Sequence, residues 1–346
     1  MLAPSIVAFL TAVVGAWLYL RLAPAQVLDV PNQRSSHTRP TPLGGGLFIV
    51  AGFLLGLALW LASGGSLSPR ALGWLAGAVL VASVSFVDDV RSLPAIPRLL
   101  THLLGAAIVT VAGVQERELP LLLALSLAFI YITVLTNVYN FMDGIDGLAA
   151  AQAIVAGIAL AIAGFEVKNP VVEMGGVLLA SAGFLLFNLP PARLFMGDVG
   201  STFLGFSFAG LTLLGNIGVG GGRLPAEFGV VILAPFLFDS LVTLARRVLR
   251  GERWYAAHHS HYYQRLIDRG LSHAQVTGLY AGLAILAAAA ALAGLFADPP
   301  MRVTLAILAY LPMLAVVALV WRREAADPHH QQPNEAPIVQ KLEVRS

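Results

Sequence analysis

Cysteine is absent from the 346 residues, which excludes disulfide bonds, thiol nucleophiles and zinc sites built on thiolates. Charge is also scarce, because Asp, Glu, Lys and Arg make up 12% of the chain, about half of their share in a soluble protein. The net charge of +2 is too small to indicate nucleic acid as a partner. The first apolar segment lacks the basic residues that begin a signal peptide, so we expect it to be retained as a helix.

Apolar residues dominate instead. They form 58% of the chain, and the mean hydropathy is +0.79. Runs of about 20 apolar residues span a bilayer as helices, which satisfy their own backbone groups. The sequence therefore predicts an all-α, polytopic integral membrane protein, with a single transmembrane domain over 1–325 and a disordered tail over 326–346. The eleven predicted spans are 3–22, 43–63, 71–87, 98–114, 119–138, 147–165, 171–188, 199–217, 226–246, 273–296 and 301–321.

The distribution of Lys and Arg predicts the orientation of these spans. With the N-terminus outside and the C-terminus in the cytoplasm, sixteen of the 21 Lys and Arg residues fall on the cytoplasmic side. The same side then receives every strongly polar segment, whereas the outer loops are short and plain. These polar segments are 29–46, 88–92, 137–147, 187–201 and 250–270.

Five acids lie where the predicted helices meet the cytoplasmic edge. Asp88 and Asp89 end the third span, Asp143 and Asp146 precede the sixth, and Asp198 opens the eighth. Helix capping explains any one of the last three equally well. Capping does not explain the first two, because they follow a helix and meet its negative end. Hard oxygen ligands that converge in this way predict a Mg²⁺ site, with Mn²⁺ as a substitute.

Basic side chains supply the complement of these acids. The positive-inside bias explains most of the arginines by itself, whereas the three histidines within 258–261 are harder to dismiss. Cations around an acid–Mg²⁺ centre suit a diphosphate substrate, whose charge must be neutralised. The candidate substrate-binding cations are Arg34, His37, His259 and His261.

Two polar residues fall inside predicted spans. Asp239 lies in the ninth span, and Arg246 follows it by seven residues on the same helix face. An intramembrane acid is a functional candidate by default, but a structural ion pair with Arg246 explains it equally well. We predict that His102, in the fourth span, is a hydrogen-bonded packing residue.

In these segments the chain resembles the polyprenyl-phosphate N-acetylhexosamine-1-phosphate transferases. The resemblance covers spans one to ten, and its motifs are the "DD" that ends the third span, "NVYNFMDGIDGLA", "FNLPPARLFMGDVGS" and a His-containing loop after the ninth span. It implies that a lipid phosphate, usually undecaprenyl phosphate, attacks the β-phosphorus of a UDP-N-acetyl amino sugar. UMP leaves in this reaction, and the enzyme requires Mg²⁺.

The resemblance also implies roles for individual residues. Asp198 and Asn137 are expected to hold the metal, while Asp88, Asp89 and Asp198 form the catalytic set, with the "DD" pair acting on the lipid phosphate. The nucleotide site is expected to contain Phe195 near the uracil, together with Asn140, Asp143 and Asp146. Asn188 matches the Asn of the family's "FN" motif and is expected to bind substrate. His259 and His261 are expected to handle the sugar and the diphosphate.

Departures from the family's motifs indicate a branch. The chain has "AAHHSHYYQRL" and "RSSHTRPTPLGGG" where the muramyl-pentapeptide enzymes carry other loops. Both features are similar to the branch that starts surface polysaccharides such as O-antigen from UDP-GlcNAc or a related 6-deoxy amino sugar. The muramyl-pentapeptide substrate is the alternative within the family, and a secondary transporter is the alternative outside it. The resemblance further implies the bacterial inner membrane, an active site facing the cytoplasm, and a homodimer as one possible assembly.

Overall fold

The computed structural model describes residues 1–22, 28–31, 39–113, 120–253 and 258–326. Helices make up nearly all of the regular structure in these ranges, and a two-residue antiparallel pair, β1 and β2, is its only sheet. The elements are α1 Leu2–Leu22, β1 Leu28–Asp29, β2 Thr41–Pro42, α2 Gly46–Ala62, α3 Pro69–Arg91, α4 Ala95–Gly113, α5 Leu121–Phe141, α6 Leu148–Glu166, α7 Pro170–Glu173, a 3₁₀ helix Met174–Leu179, α8 Ala180–Asn188, α9 Asp198–Asn216, α10 Phe228–Ile232, α11 Ala234–Leu249, α12 Tyr262–Asp268, α13 His273–Gly294 and α14 Pro299–Ala326.

The prediction of an all-α polytopic membrane protein is confirmed. Within the described ranges, eight helices are long and apolar enough to cross a bilayer, and the apolar helix α2 is shorter. The total of eleven spans and their orientation stay predictions. The predicted tail lies outside the described residues, apart from Ala326, which ends α14.

Two of the predicted spans are interrupted. The ninth divides into α10 and α11 around Leu233, because Pro235 in the first turn of α11 has no N–H to continue the helix from α10. The seventh passes through the 3₁₀ helix Met174–Leu179. There a Cβ on Gly175 would lie 2.3 Å from the Leu160 side chain of α6.

Helix α9 lies at the centre of the bundle. Sixteen of its nineteen residues are buried, and it packs against α3 and α5. Its aromatic side chains meet Phe53 and Tyr139 from neighbouring helices. Leucines elsewhere, such as Leu10 on α1 and Leu308 on α14, are about half exposed, as expected of side chains that face lipid. The central position of α9 fixes its first residue, Asp198, among the ends of other helices.

The start of α9 is joined to the start of α2 by backbone contacts. Gly45 N donates to Phe195 O at 2.9 Å, and Gly46 N donates to Met196 O at 2.8 Å. A Cβ on Gly46 would lie 2.3 Å from the backbone of Gly200, so only glycine permits this approach. We call this side of the bundle, where α3, α5 and α11 end and α2, α6 and α9 begin, the polar end.

Candidate active site

A single arginine links two of the predicted catalytic acids at the polar end. Arg98 Nη1, in the first turn of α4, lies 2.9 Å from Asp88 Oδ2 and 2.8 Å from Asp198 Oδ2. Asp88 is 7% exposed, whereas Asp198 and Arg98 are 29% and 39% exposed. Two carboxylates therefore share one cation at a place that solvent can still reach.

The neighbouring acid, Asp89, caps helix α9 from the end of α3. Its Oδ1 accepts from Asp198 N at 2.8 Å, and its Oδ2 accepts from Val199 N at 3.1 Å. The expectation that capping does not apply to the "DD" pair was therefore wrong for Asp89, because a helix can be capped by an acid from a different element. Gly197 permits the contact, since a Cβ there would lie 2.6 Å from Asp89 Oδ2.

The two asparagines of α5 have different surroundings. Asn140 Nδ2 donates to Asp198 Oδ1 at 3.0 Å and to Ser201 Oγ at 2.9 Å. Asn137 instead donates to Thr133 O and lies 3.3 Å from the Nδ1 atom of His102. His102 is buried and hydrogen-bonded, as predicted. The structure thus places Asn140, rather than the expected ligand Asn137, against Asp198.

Asp143 and Asp146 lie in the turn between α5 and α6, since α6 begins only at Leu148. Burial raises the pKa of the Asp143 carboxyl well above its usual range. Negative charge raises this pKa further, in order from Asp198, Asp89 and Asp146. The acids of the three polar segments therefore lie close enough to repel one another, as a cation-binding site requires.

Asp146 and Asn188 hold the walls of the site together. Asp146 Oδ2 accepts from Ala192 N at 3.0 Å and lies 3.3 Å from His273 Nδ1 of α13. Asn188 Oδ1 accepts from Gly147 N, and Asn188 Nδ2 donates to Leu194 O. The Asn188 amide is buried and uses both of its ends on backbone.

Phe195 lies in the same loop, on the side that faces the start of α2. Its backbone N–H donates to Pro42 O at 2.8 Å, and its carbonyl accepts from Gly45. The predicted contact between Phe195 and uracil stays a prediction. Arg34 and His37 lie outside the described residues.

The segment with His258, His259 and His261, which we call the histidine loop, leads into α12 beside the site. Tyr263 OH donates to Phe141 O at 3.1 Å, and a Cβ on Gly144 would collide with the same hydroxyl. His259 Nε2 lies 3.4 Å from Asp268 Oδ1, and His261 is buried against Asp239 at 3.2 Å. The loop therefore packs directly against the turn that carries Asp143.

Asp239 does not form the ion pair with Arg246 that the sequence suggested. Its partners are Thr243 on the same helix, His261 and residues of α12 and α13. Arg246 instead donates to Ser260 O at 3.4 Å. Both residues therefore support the histidine loop, from different sides.

The oxygen atoms of this site suit Mg²⁺. Within the described ranges, no group of three or more His, Cys, Asp or Glu side chains could hold a metal by itself. Mg²⁺ usually takes one or two protein carboxylates and completes its shell with water and substrate phosphates. Asp88 and Asp198 provide two carboxylates, and the position of Arg98 between them shows that the place attracts a cation.

Arg98 is the residue that the sequence did not single out. Arg98 is one of the sixteen Lys and Arg residues predicted on the cytoplasmic side, and nothing in "DDVRSLPAIPRLL" distinguishes it from Arg91. The helix break at Ser92, which has the left-handed φ of 50°, turns α4 back toward α3 and brings Arg98 to the acids. Arg91 is exposed.

Known proteins are similar to this chain in sequence. A family model described as glycosyl transferase family 4 matches residues 71–216. A probable undecaprenyl-phosphate N-acetylglucosaminyl 1-phosphate transferase of Bacillus subtilis is 32% identical over 285 residues, which cover 78% of this chain and 77% of its own. The chain belongs to glycosyl transferase family 4. This family 4 member is therefore a multi-pass membrane transferase, and the resemblance inferred from the motifs is confirmed.

Further relatives bear on the branch. The decaprenyl-phosphate N-acetylglucosaminephosphotransferase of Mycobacterium leprae is 28% identical to this chain over an alignment of 364 positions, which covers 91% of this chain and 88% of that one. The phospho-N-acetylmuramoyl-pentapeptide-transferase of Chlamydia muridarum is 37% identical, but over only 126 residues, or 35% of each chain. The family 4 segment contains the acids from Asp88 to Asp198 and Arg98, while Asp239 and the histidine loop lie beyond it.

Proposed function

We propose that this family 4 protein transfers an N-acetylhexosamine-1-phosphate from a UDP-sugar to a polyprenyl phosphate, with undecaprenyl phosphate as the acceptor. The observation that carries this proposal is the cluster of Asp88, Arg98, Asp198 and Asn140 at the polar end of an apolar bundle. A phosphate on a membrane lipid and a water-soluble nucleotide can both reach such a place. A transporter would instead have its polar site near the middle of its spans.

The proposed reaction exchanges one phosphoanhydride for another. An oxygen of the lipid phosphate attacks the β-phosphorus of the UDP-sugar, and the bond to the α-phosphate breaks so that its electron pair leaves with UMP. Catalysis of such a transfer consists mainly of positioning and of neutralising charge. Arg98 is suited to this task because a planar guanidinium pairs with phosphate as readily as with carboxylate.

The acids have separable tasks in this proposal. Asp88 and Asp198 would hold Mg²⁺, which when bound would neutralise the phosphate oxygens. Asn140 orients Asp198 by a hydrogen bond to Oδ1. The other oxygen, Oδ2, contacts Arg98 and would bind the metal when it takes the place of Arg98. Asp89 holds the start of α9, and thereby Asp198, at a fixed position. We further propose that Asp143 and Asp146 form the nucleotide side of the site.

The extent of the matches favours an N-acetylglucosamine-type donor. The relatives named for N-acetylglucosamine transfer match over most of this chain, whereas the muramyl-pentapeptide relative matches over about a third. The product would be a lipid-diphospho-sugar that starts a surface polysaccharide such as O-antigen. The muramyl-pentapeptide donor is the second candidate, and the shared segment supports it.

A panel of donors tests this proposal. Purified protein is mixed with undecaprenyl phosphate, Mg²⁺ and one UDP-sugar at a time, and UMP release is followed. We expect turnover of UDP-GlcNAc or a related amino sugar, no turnover without the lipid, and loss of activity in EDTA that Mg²⁺ or Mn²⁺ reverses. Turnover of UDP-MurNAc-pentapeptide alone would overturn the choice of branch, and full activity after thorough chelation would overturn the metal.

The proposed orientation places the polar end in the cytoplasm of a bacterial inner membrane. The absence of cysteine offers a direct test, because any introduced thiol is unique. Ser66 and Arg250 are exposed residues at opposite ends of the bundle. In intact spheroplasts, an impermeant maleimide should label the Ser66→Cys variant and not the Arg250→Cys variant. The reverse pattern would invert the topology.

A further inference from the structure

One carboxylate stands apart from the acids described so far. Asp239 of α11 has no exposed surface, yet its two oxygens have partners on three elements. Oδ1 accepts from Tyr262 N at 2.9 Å and from Thr243 Oγ1 at 3.3 Å, and it lies 3.2 Å from His261 Nδ1. Oδ2 accepts from Tyr263 N at 3.0 Å and from the Tyr280 hydroxyl. Such a set of donors is what a buried carboxylate needs in order to stay charged.

These contacts fix the start of α12, which carries the histidine loop into the site. The N–H groups of Tyr262 and Tyr263 open the helix, and both are satisfied by Asp239 rather than by the chain before them. The far end of α12 is held separately, because Arg265 forms a two-pronged pair with Glu324 of α14 at 2.9 and 2.6 Å. Only the first of these two anchors touches a histidine.

His261 is the residue that this anchor orients. It is 5% exposed, stacks on Tyr263 with the ring centroids 5.7 Å apart, and lies 6.3 Å from the Phe141 ring beside Asn140. Since a carboxylate accepts hydrogen bonds, Nδ1 is the ring nitrogen that donates to Asp239, and Nε2 is the ring nitrogen that remains for a substrate.

We propose that Asp239 is a positioning residue that acts through His261 and holds its Nε2 toward the diphosphate. This inference rests on the proposed function, because it assigns a partner to the histidine that would contact the diphosphate. Asp239 itself touches no substrate. Its contribution is the orientation of His261, in the way that a buried Asp holds the histidine of a serine protease.

The test measures kcat and KM for the UDP-sugar in wild type and in Asp239→Asn. We expect kcat to fall at least about tenfold while KM changes by less than about threefold, because His261 loses its orientation toward the transferred group. In a His261→Gln background, Asp239→Asn should add less than about twofold.

Glu324→Gln is the matched control, because it loosens the other anchor of α12 without touching His261. Its kcat should stay within about twofold of that of wild type. Tyr280→Phe keeps the test decisive if Asp239→Asn does not fold, because it removes one of the hydrogen bonds that hold Asp239 in place. We expect its kcat to fall about threefold, and this loss to disappear in the His261→Gln background.

The outcomes separate this inference from the function on which it rests. Release of no UMP from any UDP-sugar would overturn the proposed function. UMP release by the wild type with an unchanged kcat in both Asp239→Asn and Tyr280→Phe would overturn the role of Asp239 alone. Fully additive losses of activity in the double variant would also overturn it, since they would show that Asp239 acts independently of His261.

Discussion

Two carboxylate centres in this protein differ in what their oxygens bind. At the polar end, Asp88 and Asp198 share one side-chain cation, Arg98, and Asp198 is 29% exposed. Inside the bundle, Asp239 has no exposure and is bound chiefly by backbone N–H groups and buried side chains. The first centre can exchange its cation for a metal or a phosphate, whereas the second cannot exchange its partners without unfolding α12.

The groups that bind the carboxylate oxygens distinguish a reactive acid from a positioning acid. An acid at a helix end is ambiguous by sequence position alone, and Asp89 shows why. It lies next to Asp88 in the chain, yet both of its oxygens accept backbone N–H groups at the start of α9. Asp88 also accepts a backbone N–H, from Leu93, but its second oxygen contacts the Arg98 side chain, which can move away.

The largest expected effect comes from removing the exchangeable charge at the first centre. Asp198→Asn should lower the rate of UMP release by roughly 10²–10³-fold or more, because it removes one of the two carboxylates proposed to hold the cation that neutralises the transferred phosphate. Size-exclusion chromatography should show folded protein. The matched control is Asp298→Asn, which changes an exposed acid at the other end of the bundle and should stay within about twofold of wild type. A normal rate for Asp198→Asn would contradict its assignment.

Removing the shared cation should have the next largest effect. Arg98→Met leaves two carboxylates without their shared cation, and we expect a loss of roughly 1–2 kcal/mol in the free energy of unfolding, discounted because Arg98 is 39% exposed. Mg²⁺ should restore more stability in this variant than in wild type, as measured by thermal unfolding with and without the ion. Arg91→Met is the control, since Arg91 is exposed nearby. Equal responses of the two variants to Mg²⁺ would contradict the proposal that Mg²⁺ takes the place of Arg98 between the two carboxylates.

Changing the helix packing should affect the first centre and spare the second. A Cβ at Gly46 would lie 2.3 Å from the Gly200 backbone, so Gly46→Ala should cost about 1–3 kcal/mol and reduce activity by displacing Asp198. Gly278→Ala on α13 meets nothing within 4 Å and should be neutral or stabilising by roughly 0.5–1 kcal/mol. The comparison fails if the two alanine variants have the same thermal stability.

The smallest expected effect concerns pH and the loop above the second centre. Burial, followed by the charges of His261, Arg247 and Arg246, lowers the pKa of His258 to about 4. Because the folded protein resists protonation that the unfolded chain accepts, His258 costs stability as pH falls below about 6.5 toward 4. Between pH 7 and pH 5, the melting temperature of the His258→Asn variant should therefore fall by about 1 °C less than that of wild type. A steeper loss in the variant would reverse the sign.

The features of the molecule that depend on local sequence pattern could be predicted from the sequence. Charge-free runs predicted the helices, and the alternation of spans correctly brought Asp88, Asn140 and Asp198 to one end. It could not predict Arg98, because its role depends on the turn at Ser92. Nor could it predict that Asp239 binds the start of α12, since that contact joins residues more than twenty positions apart in sequence. Long-range pairing is set by packing, to which a single sequence gives no direct guide.

The most direct test of the central claim follows the phosphorus itself. UDP-GlcNAc labelled with ³²P at the β-phosphate is incubated with the protein, Mg²⁺ and undecaprenyl phosphate, and the organic and aqueous phases are counted. A sugar-phosphate transferase moves the label into the lipid phase and releases unlabelled UMP, and Asp198→Asn should do so far more slowly. Label that stays in the aqueous phase as UDP while the sugar moves to lipid would contradict attack at the β-phosphorus.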